Sequence, residues 1–309
     1  MRILVLGAGA IGGYFGGRLV EAGADVTFLV RPRRAEQLAR DGLVIESDFG
    51  NVNQPVKFIT GGANDATFDM VIVACKAYDL TAAMSDMAPY VKHGAAVLPL
   101  LNGLAHIDLL RETFGVENVL GGTCHIGATV TSTGAVHHLN KLHSVTFGEL
   151  SGDQSERVDA FGNLLGTAIV DARLSTDVLQ DMWNKFVMLT TLAGATCLMR
   201  ASIGDIMKCE GGRHFVTEML QECEDVAAAA GHRPDTDFMT RTRDELTKQG
   251  SPQTSSMLRD MLSGGRTEAD HILGDMVRRA SVAGRAAALV RAAYCHLQVY
   301  EFDRQAIGQ

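Results

Sequence analysis

Gly7-Ala8-Gly9-Ala10-Ile11-Gly12 spells a GxGxxG, and each glycine in it has a different physical task. It follows a short apolar run, Arg2–Leu6, directly. Gly7 then permits a tight turn, Gly9 lets a pyrophosphate approach the backbone, and Gly12 lets the next helix pack closely on the strand. A helix from about Ala10 presents unbonded N–H groups and a positive dipole end to phosphate oxygens. Such a segment reads as a dinucleotide site. Which dinucleotide is decided after the second strand, where an acidic residue would bond the ribose 2′-hydroxyl of NAD. The chain instead reads Val30-Arg31-Pro32-Arg33-Arg34, with no carboxylate between Asp25 and Glu36. Guanidinium groups there suit a 2′-phosphate, which arginine holds in bidentate fashion. NADPH is therefore the expected cofactor.

Two further polar residues emerge at the carboxyl ends of apolar runs, where ligands sit in open α/β sheets. Lys76 follows Val71–Cys75, and Asn102 follows Val97–Leu101. Each either flanks a nicotinamide or is an ordinary loop residue, and the spacing alone leaves both readings open. His137, His138 and His143 lack a carboxylate or cysteine partner at ligand spacing and read as strand and turn residues. Cys124 and His125 are neighbours on one predicted strand, so they point to opposite faces and make a poor thiolate–imidazole pair.

The elements that must position these residues follow from periodicity. Strands at Arg2–Leu6, Asp25–Val30, Met70–Ala74 and Ala96–Leu101 alternate with helices at Ala10–Glu21 and Ala77–Tyr90, which implies βαβ units and a parallel sheet. Leu43–Glu46 and Val56–Thr60 read as a small β excursion, and Gly121–Glu149 as antiparallel strands. From about Val178 helix formers dominate, with breaks at Gly204, Gly211–Gly212, Gly231–Pro234, Gly250–Pro252 and Gly264–Gly265. The fold class is α/β, with a nucleotide-binding domain over 1–174 and a helical domain over 175–309.

Composition limits the partners. The 309 residues carry a net charge of −8, with 46% hydrophobic and 21% charged residues, the balance of a soluble globular chain. Acidity argues against a nucleic-acid or anionic-membrane partner, and the apolar runs are too short to span a bilayer. Six cysteines show no CxxC pair and read as reduced, mostly core residues of a cytoplasmic protein. The start MRILVLGAGAIGG superficially resembles a secretory signal, but no small-x-small cleavage site follows it. The apolar stretch Ala286–Tyr300 either closes its own core or docks a second copy as a homodimer; the sequence leaves both open.

GAGAIGGYFG at the start, CKAYD at Cys75–Asp79, LLNGL at Leu100–Leu104, WNKF at Trp183–Phe186, SSMLRD at Ser255–Asp260 and RTEADHILG at Arg266–Gly274 occur in this order along the chain. Together they resemble the ketopantoate reductase family, the NADPH-dependent 2-dehydropantoate 2-reductases. The resemblance implies a Rossmann-type domain joined to an all-helical one, with the active site in the cleft between them. It also implies that Lys185 donates a proton to the carbonyl being reduced, and that Glu268 lies near cofactor and substrate. Asn102 would contact both nicotinamide and substrate, Lys76 the cofactor, Ser256 the substrate carboxylate, and Arg31 the 2′-phosphate. His125 and Gly127 fall where the family has a cofactor-facing loop, and Gly127 would let the backbone approach the nucleotide.

Reduction of a 2-keto acid requires a hydride donor, a proton donor and groups for the carboxylate, and these residues supply that set. Lys185 shares a helix face with Leu189, Leu192, Ala193 and Thr196, and desolvation there would lower its pKa toward a general acid's range. Helix spacing alone equally allows Lys185 to pair with Asp181. Likewise, Thr267 would cap a helix beginning at Glu268, and Ser255 or Ser256 one beginning at Met257. The family's substrate asparagines fall at Leu189, Ala193 and Ile203, so three polar contacts are apolar here. Thr190, Thr191 and Thr196 are the nearby hydroxyls available to compensate. The expected activity is ketopantoate reduction. The alternatives are reduction of a more apolar 2-keto acid, or a non-catalytic NADP-binding sensor.

Overall fold

Five apolar segments run parallel in the first half of the chain, and the computed structural model, which describes residues 1–61 and 66–307, gathers them into one sheet. They are Arg2–Leu6 (β1), Asp25–Leu29 (β2), Lys57–Ile59 (β5), Met70–Val73 (β6) and Ala96–Pro99 (β7), in the order β5-β2-β1-β6-β7. β1 is central. It pairs with β2 from Arg2/Asp25 to Leu6/Leu29, and with β6 from Ile3/Met70 to Leu6/Val73. β6 and β7 are buried throughout, as strands covered on both faces must be. The crossovers include Ala10–Glu21 (α1), Pro32–Asp41 (α2) and Leu80–Lys92 (α3); Ala105–Phe114 (α4) follows β7.

A second sheet contains Leu43–Glu46 (β3), Val52–Gln54 (β4), Leu120–Val130 (β8), Val136–Glu149 (β9) and Asp171–Leu174 (β10), with Glu156–Leu165 (α5) between the last two. β8 and β9 form the expected antiparallel pair. The expected excursion is corrected: β3 makes a hairpin with β4 around the turn that Ser47 and Gly50 close, while Lys57–Ile59 joins the main sheet beside β2. α1 packs on both sheets because it has glycine where they press closest. A Cβ on Gly16 would meet the Phe28 ring at 2.7 Å, and one on Gly17 would meet Ile45 at 2.5 Å.

On the same helix, Tyr14 and Arg18 enter a buried polar cluster. The Arg18 guanidinium lies 5.1 Å from the Tyr14 ring centre and donates to Glu21 and to the Gly50 carbonyl. The Tyr14 hydroxyl is hydrogen-bonded to His143 Nδ1 at 3.1 Å, and His143 stacks on Phe49. His138 donates to the Leu142 carbonyl and lies 2.9 Å from the Ser47 hydroxyl. These histidines are strand residues that the core has enclosed.

The second half is helical: Val178–Met199 (α6), Ile203–Ile206 (α7), Gly212–Ala229 (α8), Thr236–Leu246 (α9), Ser256–Leu262 (α10), a π-helical turn at Asp270–Gly274, Asp275–Val282 (α11) and Ala288–Ile307 (α12). Gly204 is not a break but lies inside α7, where a Cβ would meet the Ser251 backbone at 2.6 Å. One face of Ala286–Tyr300 closes its own core through Ala287, Val290, Ala293 and Leu297. The Glu222 carboxylate caps the start of α12, accepting from the Leu289 and Val290 N–H groups. No helix among the described residues is long and apolar enough to cross a membrane.

The chain divides into one unit of Met1–Leu101 with His106–Asp181 and a second of Asn102–Ala105 with the residues from Met182 onward. The division thus falls one turn into α6 rather than at 174/175. Strand β10 is paired to β9, and Ser175 and Arg173 bind the Asp181 carboxylate, so this stretch stays with the sheets. The cysteines are all free, but only Cys124, Cys197 and Cys223 are buried; Cys209 and Cys295 are exposed. Burial pushes the Cys197 thiol up to about 11 and the Cys223 thiol to about 12, which makes both inert.

Candidate active site

The β1–α1 loop is built as a phosphate cradle. Gly7 has φ +95°, a conformation that disfavours any side chain. A Cβ on Gly12 would lie 2.1 Å from the Gly7 carbonyl oxygen and 3.1 Å from Val5 and Ala74 side chains, so only glycine lets α1 approach the sheet here. Gly9 is the opposite case, because a Cβ there would meet nothing within 4 Å. The space in front of it is open. Gly9 is also the N-cap of α1, and no side chain caps that end and no acid occupies its first turn. Ala8, Ala10 and Ile11 complete a loop whose unbonded N–H groups fit a pyrophosphate.

The arginines after β2 are differently employed. Arg34 donates to the carbonyls of Ala8 (3.0 Å) and Gly134 (2.7 Å), so it braces the glycine loop. Burial pushes its guanidinium below the usual arginine value. Arg31 is exposed and is 2.8 Å from the carboxylate of Asp79. Arg33 is exposed and makes no ion pair among the described residues. The three guanidiniums therefore do not form one pocket, which corrects the expectation of a joint phosphate grip. Asp79 is 48 residues from Arg31, and no local signal joins them.

Lys76 is half-buried just beyond β6, preceding a 3-10 turn over Ala77–Asp79. At Gly127 the need for glycine has a local cause. Asn140 fills the space, 2.8 Å from where a Cβ would sit, and its Oδ1 accepts from the Gly127 N–H at a bulge in the β8–β9 pair.

In the helical unit, α6 carries Lys185 half-buried near its start. Asp181, one turn earlier, spends its oxygens on Ser175 (2.6 Å) and Arg173 (2.5 Å). Trp183 fixes this part of the helix. Its ring stacks on His232, with centroids 5.6 Å apart, and the Arg279 guanidinium lies 5.3 Å from the ring centre. Arg279 is itself held by Asp275 at 2.9 Å. Farther along α6, Leu189 is half-buried, whereas Ala193 and, in α7, Ile203 are fully buried. The threonines do not restore polarity. Thr191 donates to the Val187 carbonyl, and Thr196 to that of Leu192. The Thr190 hydroxyl is buried with no hydrogen-bond partner among the described residues.

Helix α10 begins at Ser256, not at Met257, and Ser255 is its cap: its Oγ accepts from the Leu258 N–H and is 2.9 Å from Thr196 Oγ1. Ser256 is half-buried in the first turn, so its hydroxyl is not consumed as the cap. The expected cap at Thr267 is also corrected. Its hydroxyl and N–H both donate to Glu301, and Glu268 is a buried residue just before the helix that starts at Ala269.

Next to Glu268 stands a residue that sequence reasoning missed. His271 lies in the π-helical turn, a distortion frequent at functional sites. Burial pushes its imidazole down; the carboxylates of Glu268 and Asp275 and a hydrogen bond to the Asn102 backbone work against that. Gly103 has φ +82°, and a Cβ on it would lie 3.1 Å from the His271 carbonyl oxygen. The Asn102-Gly103 turn is thereby seated on the Glu268 segment. Its only sequence signal was His271's place three residues after Glu268 in the RTEADHILG run. Within this turn Asp270 accepts from Tyr294 (2.6 Å) and Arg278 (2.8 Å), which anchors it.

The arrangement combines a cradle for a dinucleotide with a helical unit in which a lysine, a buried carboxylate and an asparagine share one unit. Two family models match this chain, the ketopantoate reductase PanE/ApbA model over residues 3–152 and its C-terminal counterpart over 177–301. The chain belongs to the ketopantoate reductase family. An uncharacterized oxidoreductase, YkpB, of Bacillus subtilis is 37% identical over 304 residues, covering 98% of this chain and 100% of that one. The 2-dehydropantoate 2-reductase of a Nostoc species is 28% identical over 92% of this chain and 90% of its own. Among solved structures, 2-dehydropantoate 2-reductase from Geobacter metallireducens has a TM-score of 0.88 at 26% identity, covering 96% and 99%. A D-mandelate dehydrogenase with NADH and anilino(oxo)acetate shares the fold at TM-score 0.88 and 21% identity, covering 99% of each chain. As a member of this family, the chain is an NAD(P)H-dependent oxidoreductase that acts on a keto group, a 2-keto-acid reductase.

Proposed function

We propose that the chain reduces 2-dehydropantoate to pantoate with NADPH. The observation that supports this reading is that Asn102, Lys185, Ser256 and Glu268, from four separate segments of the chain, all fall within the helical unit. In this reading the cofactor, when bound, supplies the hydride. Lys185 Nζ gives a proton to the keto oxygen as negative charge grows on it, and its cationic character stabilises that charge. The Ser256 hydroxyl receives the substrate carboxylate. Glu268 accepts from a substrate hydroxyl, and Asn102 orients nicotinamide and substrate together. On the nucleotide side Gly7, Ala8, Gly9, Ala10, Ile11 and Gly12 hold the pyrophosphate. Arg31 meets the 2′-phosphate, with Lys76 near the nicotinamide.

A second reading is favoured by Leu189, Ala193 and Ile203. Ala193 and Ile203 are fully buried, so only Leu189 retains surface to offer a substrate. A substrate that needs fewer polar contacts than ketopantoate, another 2-keto acid, suits such a lining. The test is NADPH oxidation by the purified protein with 2-dehydropantoate beside a panel of other 2-keto acids. Efficient, saturable turnover of 2-dehydropantoate supports the first reading. A clear preference for another 2-keto acid replaces it with the second, and tight NADPH binding without turnover makes the protein a sensor.

A further inference from the structure

We infer that Asp79 is a specificity-determining residue for the cofactor: by pairing with Arg31, it restrains the preference for NADPH over NADH. The inference rests on the reading of Arg31 as the 2′-phosphate contact.

The topology makes the pairing reach across the nucleotide loop. β2 and β6 flank β1 on opposite sides. Arg31 stands just after β2, and Asp79 ends the short turn after β6. Arg31 Nη2 and Asp79 Oδ1 are 2.8 Å apart, so the pair joins the two strand ends on either side of the loop that begins at Gly7.

Asp79 is not spent on its own helix. It stands where the 3-10 turn runs into α3, with helical backbone angles (φ −99°, ψ −3°) rather than the extended ones of a capping residue. Its side chain makes no capping bond and goes to Arg31 instead. Of the neighbouring arginines, Arg34 is committed to the carbonyls of Ala8 and Gly134, which leaves Arg33 to share the phosphate with Arg31. The positive charge offered after β2 is thus smaller than three arginines suggest.

The consequence differs between the two cofactors. A 2′-phosphate carries nearly two negative charges. To engage Arg31 it must displace or share the guanidinium with Asp79, and it then faces that carboxylate. A ribose 2′-hydroxyl is uncharged and requires neither. Asp79 therefore costs NADPH affinity and leaves NADH affinity almost untouched. Because the pair is exposed, the effect is modest, of the size of one surface ion pair.

The experiment is direct binding of NADPH and of NADH, by calorimetry or nicotinamide fluorescence, to the full-length protein and to D79N, D79A and R31A. Asp79 makes no capping bond that either variant would lose; D79N keeps its size, and D79A guards against a new bond made by the amide. We expect both Asp79 variants to bind NADPH about two- to fivefold more tightly, with NADH affinity unchanged. An unchanged or lower NADPH/NADH affinity ratio in both variants overturns the proposal. R31A tests the underlying reading separately. A selective loss of NADPH affinity supports Arg31 as the phosphate contact; equal losses for both cofactors remove it, whatever the Asp79 variants do.

Discussion

The glycine loop and the start of α6 position polar groups by opposite means. At Gly7–Gly12 the groups on offer are backbone N–H groups, and the side chains matter by being absent. A missing Cβ at Gly12 lets the helix close on the strand, and a missing Cβ at Gly9 leaves open space. Around Lys185 the groups on offer are side chains, and their placement depends on partners far away in the chain. Trp183 is clamped by His232 and Arg279, and the Asn102-Gly103 turn is seated on His271. A backbone site is a local property of sequence. A side-chain site is a property of packing.

The sharpest way to break this comparison is to remove Lys185. If it is the proton donor, K185A lowers turnover by roughly 10²–10⁴ while cofactor affinity stays near the parent value; steady-state kinetics with NADPH titrations would show it. Near-normal turnover would reassign the acid. The loop gives the second test, through two glycine substitutions with different expected readouts. G12A drives a Cβ into the Gly7 carbonyl and should destabilise the protein by about 3 kcal/mol, visible in thermal melts without cofactor. G9A meets no neighbour, so its melting temperature should hold while cofactor binding weakens. If both variants merely lower stability, the loop is structural and the cradle reading fails.

Two buried polar side chains, one in each unit, are served very differently. In the first, the buried Glu149 is fully served: Arg157 donates to both oxygens at 2.7 and 2.6 Å, and Ser155 donates as well. Burial raises the carboxyl's pKa, but Arg157 and Ser155 outweigh it and hold it below the usual glutamate value. Its contribution is therefore present above the unfolded carboxyl's pKa and is lost as pH falls through the lower folded value. R157A should cost about 2 kcal/mol at neutral pH, and chemical denaturation should show that deficit shrinking below about pH 4. A deficit independent of pH would argue for lost packing instead. In the second unit the Thr190 hydroxyl is buried without a partner among the described residues. T190V should accordingly stabilise by about 1 kcal/mol, the smallest of these effects. A loss of stability would show that the hydroxyl has a role.

Much of the fold could be read residue by residue. The strand–helix alternation, the position of α1 and the helical second half all follow from short-range periodicity, and they stand in the structure. The errors lie where a decision needed long-range pairing. Lys57–Ile59 looked like part of an excursion with Leu43–Glu46, because nothing in five or six residues says which sheet a strand will join. Thr267 looked like a cap, and its hydroxyl goes to Glu301, 34 residues away. Arg31 and Arg34 stand three residues apart after one strand, and tertiary contacts gave them separate tasks.

The sequence by itself determined the glycine loop and its supporting sheet, since glycine spacing, apolar runs and helix starts act within a few residues of one another. Only the tertiary structure decided that Asp79 faces Arg31, that His271 supports the Asn102 turn, and that Ala193 and Ile203 are sealed in the core while Leu189 is not. Such facts depend on which side chains meet after distant elements pack, and charge, burial and hydrogen bonding act through space rather than along the chain.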